Sequence, residues 1–364
     1  MEKVLEVNIP QTEKAYQIKI NNASVESLYK ELLSETQGKK RLIVFSEKVY
    51  RLYSKNLPFP KHEVFVLKDG ECQKNYKNYL RIVDKLIKNK ISRSDVIISI
   101  GGGVVGDLAG FVAATYMRGV PLIQVPTTLL SMVDSSVGGK TAVDLSDAKN
   151  IIGAFYQPKA VYINLNFLQT LDERQYMSGL GEVLKYAFIE QHCCQESDMQ
   201  HLFEFLTVNV GRIKARDIYF LERLITICLN YKINIVKADE KESGLRKVLN
   251  LGHTYAHALE TMTKYKKFTH GQAVAWGIMF IFQWALKNCY IDTSYYNSAR
   301  ELMAIYGFEP LDYNFDTNKL IELMQIDKKA DSGRIKLIVP VSPRIVAEKE
   351  IANLAEFKNW ISCI

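Results

Sequence analysis

Three of the chain's six histidines, His253, His257 and His270, fall within eighteen residues. In Asn250-Leu251-Gly252-His253-Thr254-Tyr255-Ala256-His257 the first two stand four apart, so on a helix both imidazoles leave one face. That spacing suits zinc, although the glutamate of an HExxH motif is absent. His270 heads His270-Gly271-Gln272-Ala273-Val274, the opening of an apolar helix. Upstream, Gly181-Glu182-Val183-Leu184-Lys185 puts Glu182 and Lys185 on one helical face. A carboxylate, two imidazoles and an open position describe a catalytic metal site. Any one histidine is more often structural than ligating. The trio is what points to a metal, and spacing alone leaves open which two of the three bind it.

A second chemistry starts where DVIISI runs into Gly101-Gly102-Gly103-Val104-Val105-Gly106-Asp107 and then into the helical LAGFVAATY. This satisfies GxGxxG between a strand and a helix. Glycines let the backbone approach a pyrophosphate, and a helix N-terminus favours its charge. No acid stands about twenty residues on, where a dinucleotide fold usually grips the ribose; that stretch reads GVPLIQVPTT. The loop therefore predicts a phosphate-bearing ligand more firmly than an ordinary Rossmann domain. Pro126-Thr127-Thr128 follows, then Asp134-Ser135-Ser136-Val137-Gly138-Gly139-Lys140-Thr141. The latter ends like a Walker A loop, but Asp134 occupies the place of its first glycine, which weakens a P-loop reading. Taken singly, Lys140 and Lys149 read as solvated surface residues. Clustered with Arg118 and Asn150 after one glycine loop, they suit an anion.

The elements that must position these groups change character along the chain. RLIVFS (41–46), EVFVLK (63–68), DVIISIG (95–101), PLIQVPT (121–127) and AVYINL (160–165) read as buried strands, and 73–90 reads as a helix ending in lysines. This alternation is the grammar of an open parallel sheet. Beyond about residue 170 the segments 223–240, 254–262, 273–288 and 317–325 read as helices, with one late strand at 334–341 and a terminal helix around 350–360. The boundary is placed near 165–175.

Composition agrees. A chain of 364 residues suggests about two domains. With 48% hydrophobic and 24% charged residues, disordered, collagen-like and disulfide-scaffold classes are excluded. The net charge of +7 is mild and its basic residues mix with acids, so an anionic small molecule is expected and no nucleic acid. The six cysteines form no CxxC pair. The opening MEKVLEVNIP has no secretory pattern, and no apolar run approaches the roughly eighteen residues of a membrane span. The expectation is a cytoplasmic protein with reduced thiols, no membrane partner and no fused further domain.

GGGVVGDLAGF, RGVPLIQVPTTLLSMVDSSVGGKTAV, AKNIIGAFYQP, GLGEVLKYAFI, GLRKVLNLGHTYAHALE and HGQAVAWG together strongly resemble the 3-dehydroquinate synthase family, in that family's order and across about 70–340. The resemblance implies a Rossmann-like α/β domain binding NAD over 1–170. It implies a mainly α-helical metal- and substrate-binding domain over 171–364, an active site in the cleft between them, and a homodimer. The implied reaction converts 3-deoxy-D-arabino-heptulosonate 7-phosphate to 3-dehydroquinate and phosphate, a step towards aromatic amino acids. NAD oxidises a ring alcohol transiently, phosphate leaves by β-elimination, the hydride returns, and ring opening with aldol closure finishes the carbocycle.

The resemblance also implies residue roles. The metal, zinc or cobalt in its place, falls on Glu182, His253 and His270, which makes His257 a substrate-side group. NAD falls on Asp69, Gly70, Glu71, Cys72, Gln73 and Lys74, on Gly103, Val104, Val105, Gly106 and Asp107, and on Thr127 and Thr128. Lys140, Lys149, Phe167, Leu168, Gln169 and Thr170 complete that set. Around substrate the matching positions are Arg118, Asp134, Lys140, Asn150, Lys185, Lys232, Arg246, Asn250, His257 and one lysine of the Lys328-Lys329 pair, assigned to Lys328.

The chain departs from the family pattern at three places. Ser46 stands where an acid usually follows the second strand, with Glu47 beside it. Gln272 replaces the acid of HGE, and Ala256 replaces the second glycine of GHTxGH. The competing readings are a sibling sugar-phosphate cyclase with another product, or a metal- and NAD-dependent polyol dehydrogenase. Retention of Asn250, His257 and the paired lysines favours dehydroquinate synthesis, and a dehydrogenase would release reduced cofactor stoichiometrically.

Overall fold

The computed structural model describes residues 3–9, 14–145, 148–193, 201–309, 316–326, 335–351 and 353–361. The chain divides into two compact units, Met1–Asp172 with Ile218–Glu240, and Glu173–Asp217 with Lys241–Ile364.

The first unit is built on seven strands: β1 (Lys3–Ile9), β2 (Lys14–Asn21), β3 (Arg41–Ser46), β4 (Val64–Leu67), β5 (Val96–Gly101), β6 (Leu122–Pro126) and, after a hairpin, β9 (Ala160–Asn164). Their order across the sheet is β1-β2-β9-β6-β5-β3-β4, parallel everywhere except between β1 and β2. β5, β6 and β9 are buried along their whole length, which is why their sequences are runs of Val, Ile and Leu with little alternation. On one face, Leu42, Val44, Ile97 and Leu122 pack with Leu108, Ala109 and Val112 of the Gly103–Thr115 helix and with Ile82 and Leu86 of the Tyr76–Lys88 helix. On the other, Phe45 meets Tyr29 of the Val25–Glu35 helix edge-on, with ring centroids 6.3 Å apart.

Strand β3 has β4 on one side and β5 on the other, so the winding direction reverses at β3. Ligands of such sheets bind outside the carboxyl ends of the strands flanking that reversal. Those ends are Ser46 and the Gly101–Gly103 loop.

Every strand expected in this half is present within two residues of its expected limits. Four others were not read from the sequence. Strands β1 and β2 are one pair. Strands β7 (Lys140–Leu145) and β8 (Ala148–Phe155) form an antiparallel hairpin, so Lys140 enters a strand and not the helix a P-loop requires. The helix Ile218–Ala238 belongs to this first unit, although its sequence pattern groups it with the helical half. Periodicity identifies a helix but not the layer that receives it. Here Lys232 is pinned to Asp134 of the Ser131–Ser135 turn, Nζ lying 2.8 Å from Oδ1 and 2.5 Å from the carbonyl oxygen.

The second unit contains the helices Glu173–Ala187, His253–Met262, His270–Lys287, Thr293–Ile305, Thr317–Ile326 and Leu354–Ile361 and a strand pair that packs on the His270–Lys287 helix. The expected late strand is β10 (Lys336–Ser342), and its partner β11 (Ile345–Glu350) was unforeseen. The last helix is held by aromatic packing, Trp284 lying 4.8 Å from Trp360 and 5.0 Å from Phe357 between ring centroids. Among the described residues no helix is long and apolar enough to cross a membrane.

Candidate active site

The second unit's site begins with glycines. Each candidate ligand has a glycine neighbour: Gly181-Glu182, Gly252-His253 and His270-Gly271. A methyl group on Gly181 would overlap the Gly271 carbonyl oxygen, and one on Gly271 would overlap the Ser178 carbonyl oxygen. The Glu173–Ala187 and His270–Lys287 helices therefore touch backbone to backbone, and Gly271 N–H donates to Ser178 Oγ at 3.1 Å. Gly252 has φ +79° and would place a methyl 2.7 Å from the Val274 carbonyl oxygen. Close crossing, which only glycine permits, is what brings three candidate ligands from three helices to one point.

At that point Glu182 Oε1 lies 3.2 Å from His270 Nε2 and 3.5 Å from His253 Nε2. Ligands about 2.05 Å from a tetrahedral zinc stand about 3.3 Å apart, so these separations match the edge of such a site. The donors' remaining atoms are engaged elsewhere. Lys185 Nζ donates to Glu182 Oε2 at 2.5 Å, His253 Nδ1 lies 3.1 Å from the Leu251 carbonyl oxygen, and His270 Nδ1 lies 3.2 Å from Glu260 Oε2. With both Nδ1 atoms donating, each Nε2 keeps its lone pair for an ion. The three groups fit a divalent metal and leave its fourth position open.

Charge in this pocket is set by burial and by the carboxylates. Burial pushes the His253 imidazole down to about 3 despite Glu182 nearby. Burial also opposes charge on His270, yet Glu260 and Glu182 outweigh it and hold that imidazolium up at about 10. A dication at the focus reverses this local order.

His257, Glu260 and His270 form a second set within ligating reach. The His257 ring lies 5.6 Å from His253 and 6.1 Å from His270 between centroids. Arg246 is buried in the Leu245–Asn250 turn, and Asn250 Nδ2 donates to Glu242 Oε1 at 2.6 Å. Gln272 secures the start of its helix, where its side-chain oxygen accepts from the Thr269 N–H at 3.0 Å and closes a capping box. The acid against His270 is Glu260, which sequence reasoning missed. Its signal was available, because Glu260 lies two helical turns beyond His253 on the same face. Ala256 is fully buried within its helix.

The first unit gathers the nucleotide-type residues. Gly102 precedes the Gly103–Thr115 helix without a side-chain cap, which leaves its first amides available to an anion. Thr127 N–H donates to the Gly101 carbonyl oxygen at 3.0 Å, and a methyl on Gly102 would meet Thr128 Cγ2 at 3.1 Å. Lys74 Nζ lies 2.8 Å from Asp107 Oδ2 and 3.7 Å from Glu71, which is itself 3.3 Å from Lys149. Burial works against the Lys74 charge, but Asp107, Glu71 and Asp144 outweigh it and raise its pKa. Glu71, Lys74, Asp107 and Lys149 are thus one charge network beside the glycine loop.

Asp69 Oδ2 accepts from Lys48 N–H at 3.0 Å, which sets a carboxylate beside the end of β3 where Ser46 supplies none. Thr170 Oγ1 lies 2.7 Å from Tyr53 OH, and Phe167 and Leu168 are buried beneath it. Arg118 and Asn150 both have positive φ (61° and 54°), and Asn150 N–H donates to Asp144 Oδ1 at 2.9 Å. Arg118 and Lys140 are exposed. Lys328 and Lys329 lie outside the described residues.

A family model described as 3-dehydroquinate synthase N-terminal matches residues 64–178, and one described as 3-dehydroquinate synthase C-terminal matches 179–330. The 3-dehydroquinate synthase of Legionella pneumophila (Philadelphia 1) is 43% identical over 311 residues, 84% of this chain and 82% of that protein. That of Dictyoglomus turgidum is 36% identical over 359 residues, 99% of this chain and 97% of that protein. Among solved structures, 2-deoxy-scyllo-inosose synthase complexed with carbaglucose-6-phosphate, NAD+ and Co2+ superposes with a TM-score of 0.83 at 20% identity, covering 99% of both chains. The 2-epi-5-epi-valiolone synthase of Streptomyces hygroscopicus with NAD+ and Zn2+ gives 0.82 at 20% identity, covering 96% of both. At that identity the two structures establish the fold.

Proposed function

The chain belongs to the 3-dehydroquinate synthase family, and from that membership we infer that it converts 3-deoxy-D-arabino-heptulosonate 7-phosphate to 3-dehydroquinate and phosphate. The observation that carries the reading is the convergence of Glu182, His253 and His270 at tetrahedral spacing, in a chain that matches both halves of the family model. When bound, NAD supplies a reversible hydride acceptor, and a divalent metal supplies Lewis acidity to the hydroxyl being oxidised.

The chain's own residues bind and orient. The amides at the start of the Gly103–Thr115 helix, with Lys74, Lys140, Lys149, Thr127 and Thr128, hold the nucleotide. The segments Asp69–Lys74 and Phe167–Thr170 shape its pocket. Arg118, Lys140, Lys185, Lys232, Arg246 and Lys328 pair with the substrate's carboxylate and phosphate. Asn150, Asn250 and His257 hydrogen-bond phosphate or hydroxyls, and Asp134 fixes the Lys232 ammonium. The substrate phosphate takes the proton from the acidified C–H as it prepares to leave.

The finer assignments are a cytoplasmic enzyme acting as a homodimer. Ile151, Ile152 and Phe155 of strand β8, together with Met117, support the dimer, because these apolar side chains are left in water in the single chain.

Purified protein supplied with NAD+, zinc and the heptulosonate phosphate tests the reading. Phosphate and 3-dehydroquinate should appear in equal amounts, chelator should stop both, and no reduced nicotinamide should accumulate. Stoichiometric reduced cofactor would make the chain a polyol dehydrogenase. No turnover with NAD+ and zinc both bound would direct the assignment to a sibling cyclase.

A further inference from the structure

Glu260 is a buried carboxylate that the proposed chemistry does not use. It sits on the His253–Met262 helix, two turns beyond His253, and its Oε2 lies 3.2 Å from His270 Nδ1. One helix therefore carries a ligand and also grips the far side of another ligand that comes from a different helix. We propose that Glu260 is a positioning residue for the metal: it accepts the Nδ1–H of His270 and so fixes the tautomer and ring plane that present Nε2 to the ion. This rests on reading Glu182, His253 and His270 as the ligands.

Two observations assign it more than a packing role. The equivalent atom of His253 faces a neutral acceptor, the Leu251 carbonyl, so only His270 is backed by a charge among these two imidazoles. The charge of Glu182 is moreover shared with Lys185, whose ammonium lies 2.5 Å from Oε2. A dication held by Glu182 and two neutral imidazoles beside that ammonium gains little net negative charge from its ligands. Glu260 supplies the missing carboxylate one bond further out, where it also raises the donor strength of the imidazole.

The test measures metal affinity, not turnover. The full chain is stripped of metal, then titrated with Co2+ followed by visible absorption, and with Zn2+ in competition with a chelating dye. E260Q keeps an acceptor oxygen and the shape but loses the charge, and should bind about 10-fold more weakly. E260A loses both and should fall about 100-fold, with an altered Co2+ absorption envelope. Metal-free E260Q loses the pair between Glu260 and the His270 imidazolium and should melt somewhat lower; the Co2+ absorption envelope, altered in both variants, is the readout that a merely structural role would leave unchanged. If E260A does not fold, E260Q decides alone.

H270A, E182A and H257A separate the two levels of the argument. H270A and E182A should abolish stoichiometric binding, and H257A should not. Wild-type affinity and spectrum in E260Q and E260A, with H270A and E182A defective, would overturn the positioning role and leave the ligand set standing. Loss in H257A equal to that in E260A, with E182A unaffected, would overturn both, because Glu260 would then be a ligand of the other cluster.

Discussion

At the scale of residues, Glu182 is the group with most depending on it. Its two oxygens have separate partners, Oε1 facing both imidazoles and Oε2 bonded to Lys185. Glu182→Gln should therefore lose bound zinc, seen by elemental analysis, and lower the rate of phosphate release by more than about 100-fold; full zinc occupancy in the variant would refute its role as a ligand. In the other unit Lys74 holds Asp107 and Glu71 together. Lys74→Met should raise the NAD+ dissociation constant about 10-fold, the worth of one charged hydrogen bond, by calorimetry; unchanged affinity would place the nucleotide elsewhere. The histidine trio was legible from residue types and spacing. The choice among its members was not, because Glu182, whose Oε1 faces His253 and His270, comes from a distant part of the chain. Glu260 escaped notice because a lone glutamate within a helix ordinarily reads as solvated surface.

At the scale of elements, the site is a product of helix crossings. Gly181 and Gly271 let two helices meet at backbone distance, and Glu182 and His270 are their immediate neighbours. Gly271→Ala must push these helices apart. Overpacking of this kind costs about 1–3 kcal/mol, so the metal-free chain should melt several degrees lower, about 2–4 °C for each kcal/mol, and zinc affinity should fall with it. Normal melting and normal loading would show that the crossing does not set the ligand geometry. The core strands were readable because buried parallel strands are continuous apolar runs. The β7–β8 hairpin was not, because Gly138, Gly139 and the lysines around them carry the signature of an anion-binding turn and conceal a strand that starts at Lys140. Strand β11 was hidden in the same way by its charged residues, Glu348, Lys349 and Glu350, on a half-exposed edge.

At the scale of the whole molecule, each unit carries its own candidate site: a charge network and glycine loop in one, and Glu182, His253 and His270 at metal-ligand spacing in the other. The helix Ile218–Ala238 shows the limit of reading units from sequence, since its composition matches the helical half while its Lys232–Asp134 link ties it to the sheet. Light scattering should give twice the chain mass. Ile151→Asp should shift the particle towards monomer while leaving NAD+ affinity in place; a chain that is monomeric without substitution would contradict the dimer. In the proposed reaction the cofactor borrows a hydride and gives it back. Its most direct test is a substrate carrying deuterium on the carbon whose hydroxyl is oxidised. The product should be 3-dehydroquinate that retains the deuterium, with phosphate released and NAD+ unchanged in amount. Deuterium found in free reduced nicotinamide, or exchanged into water, would contradict it.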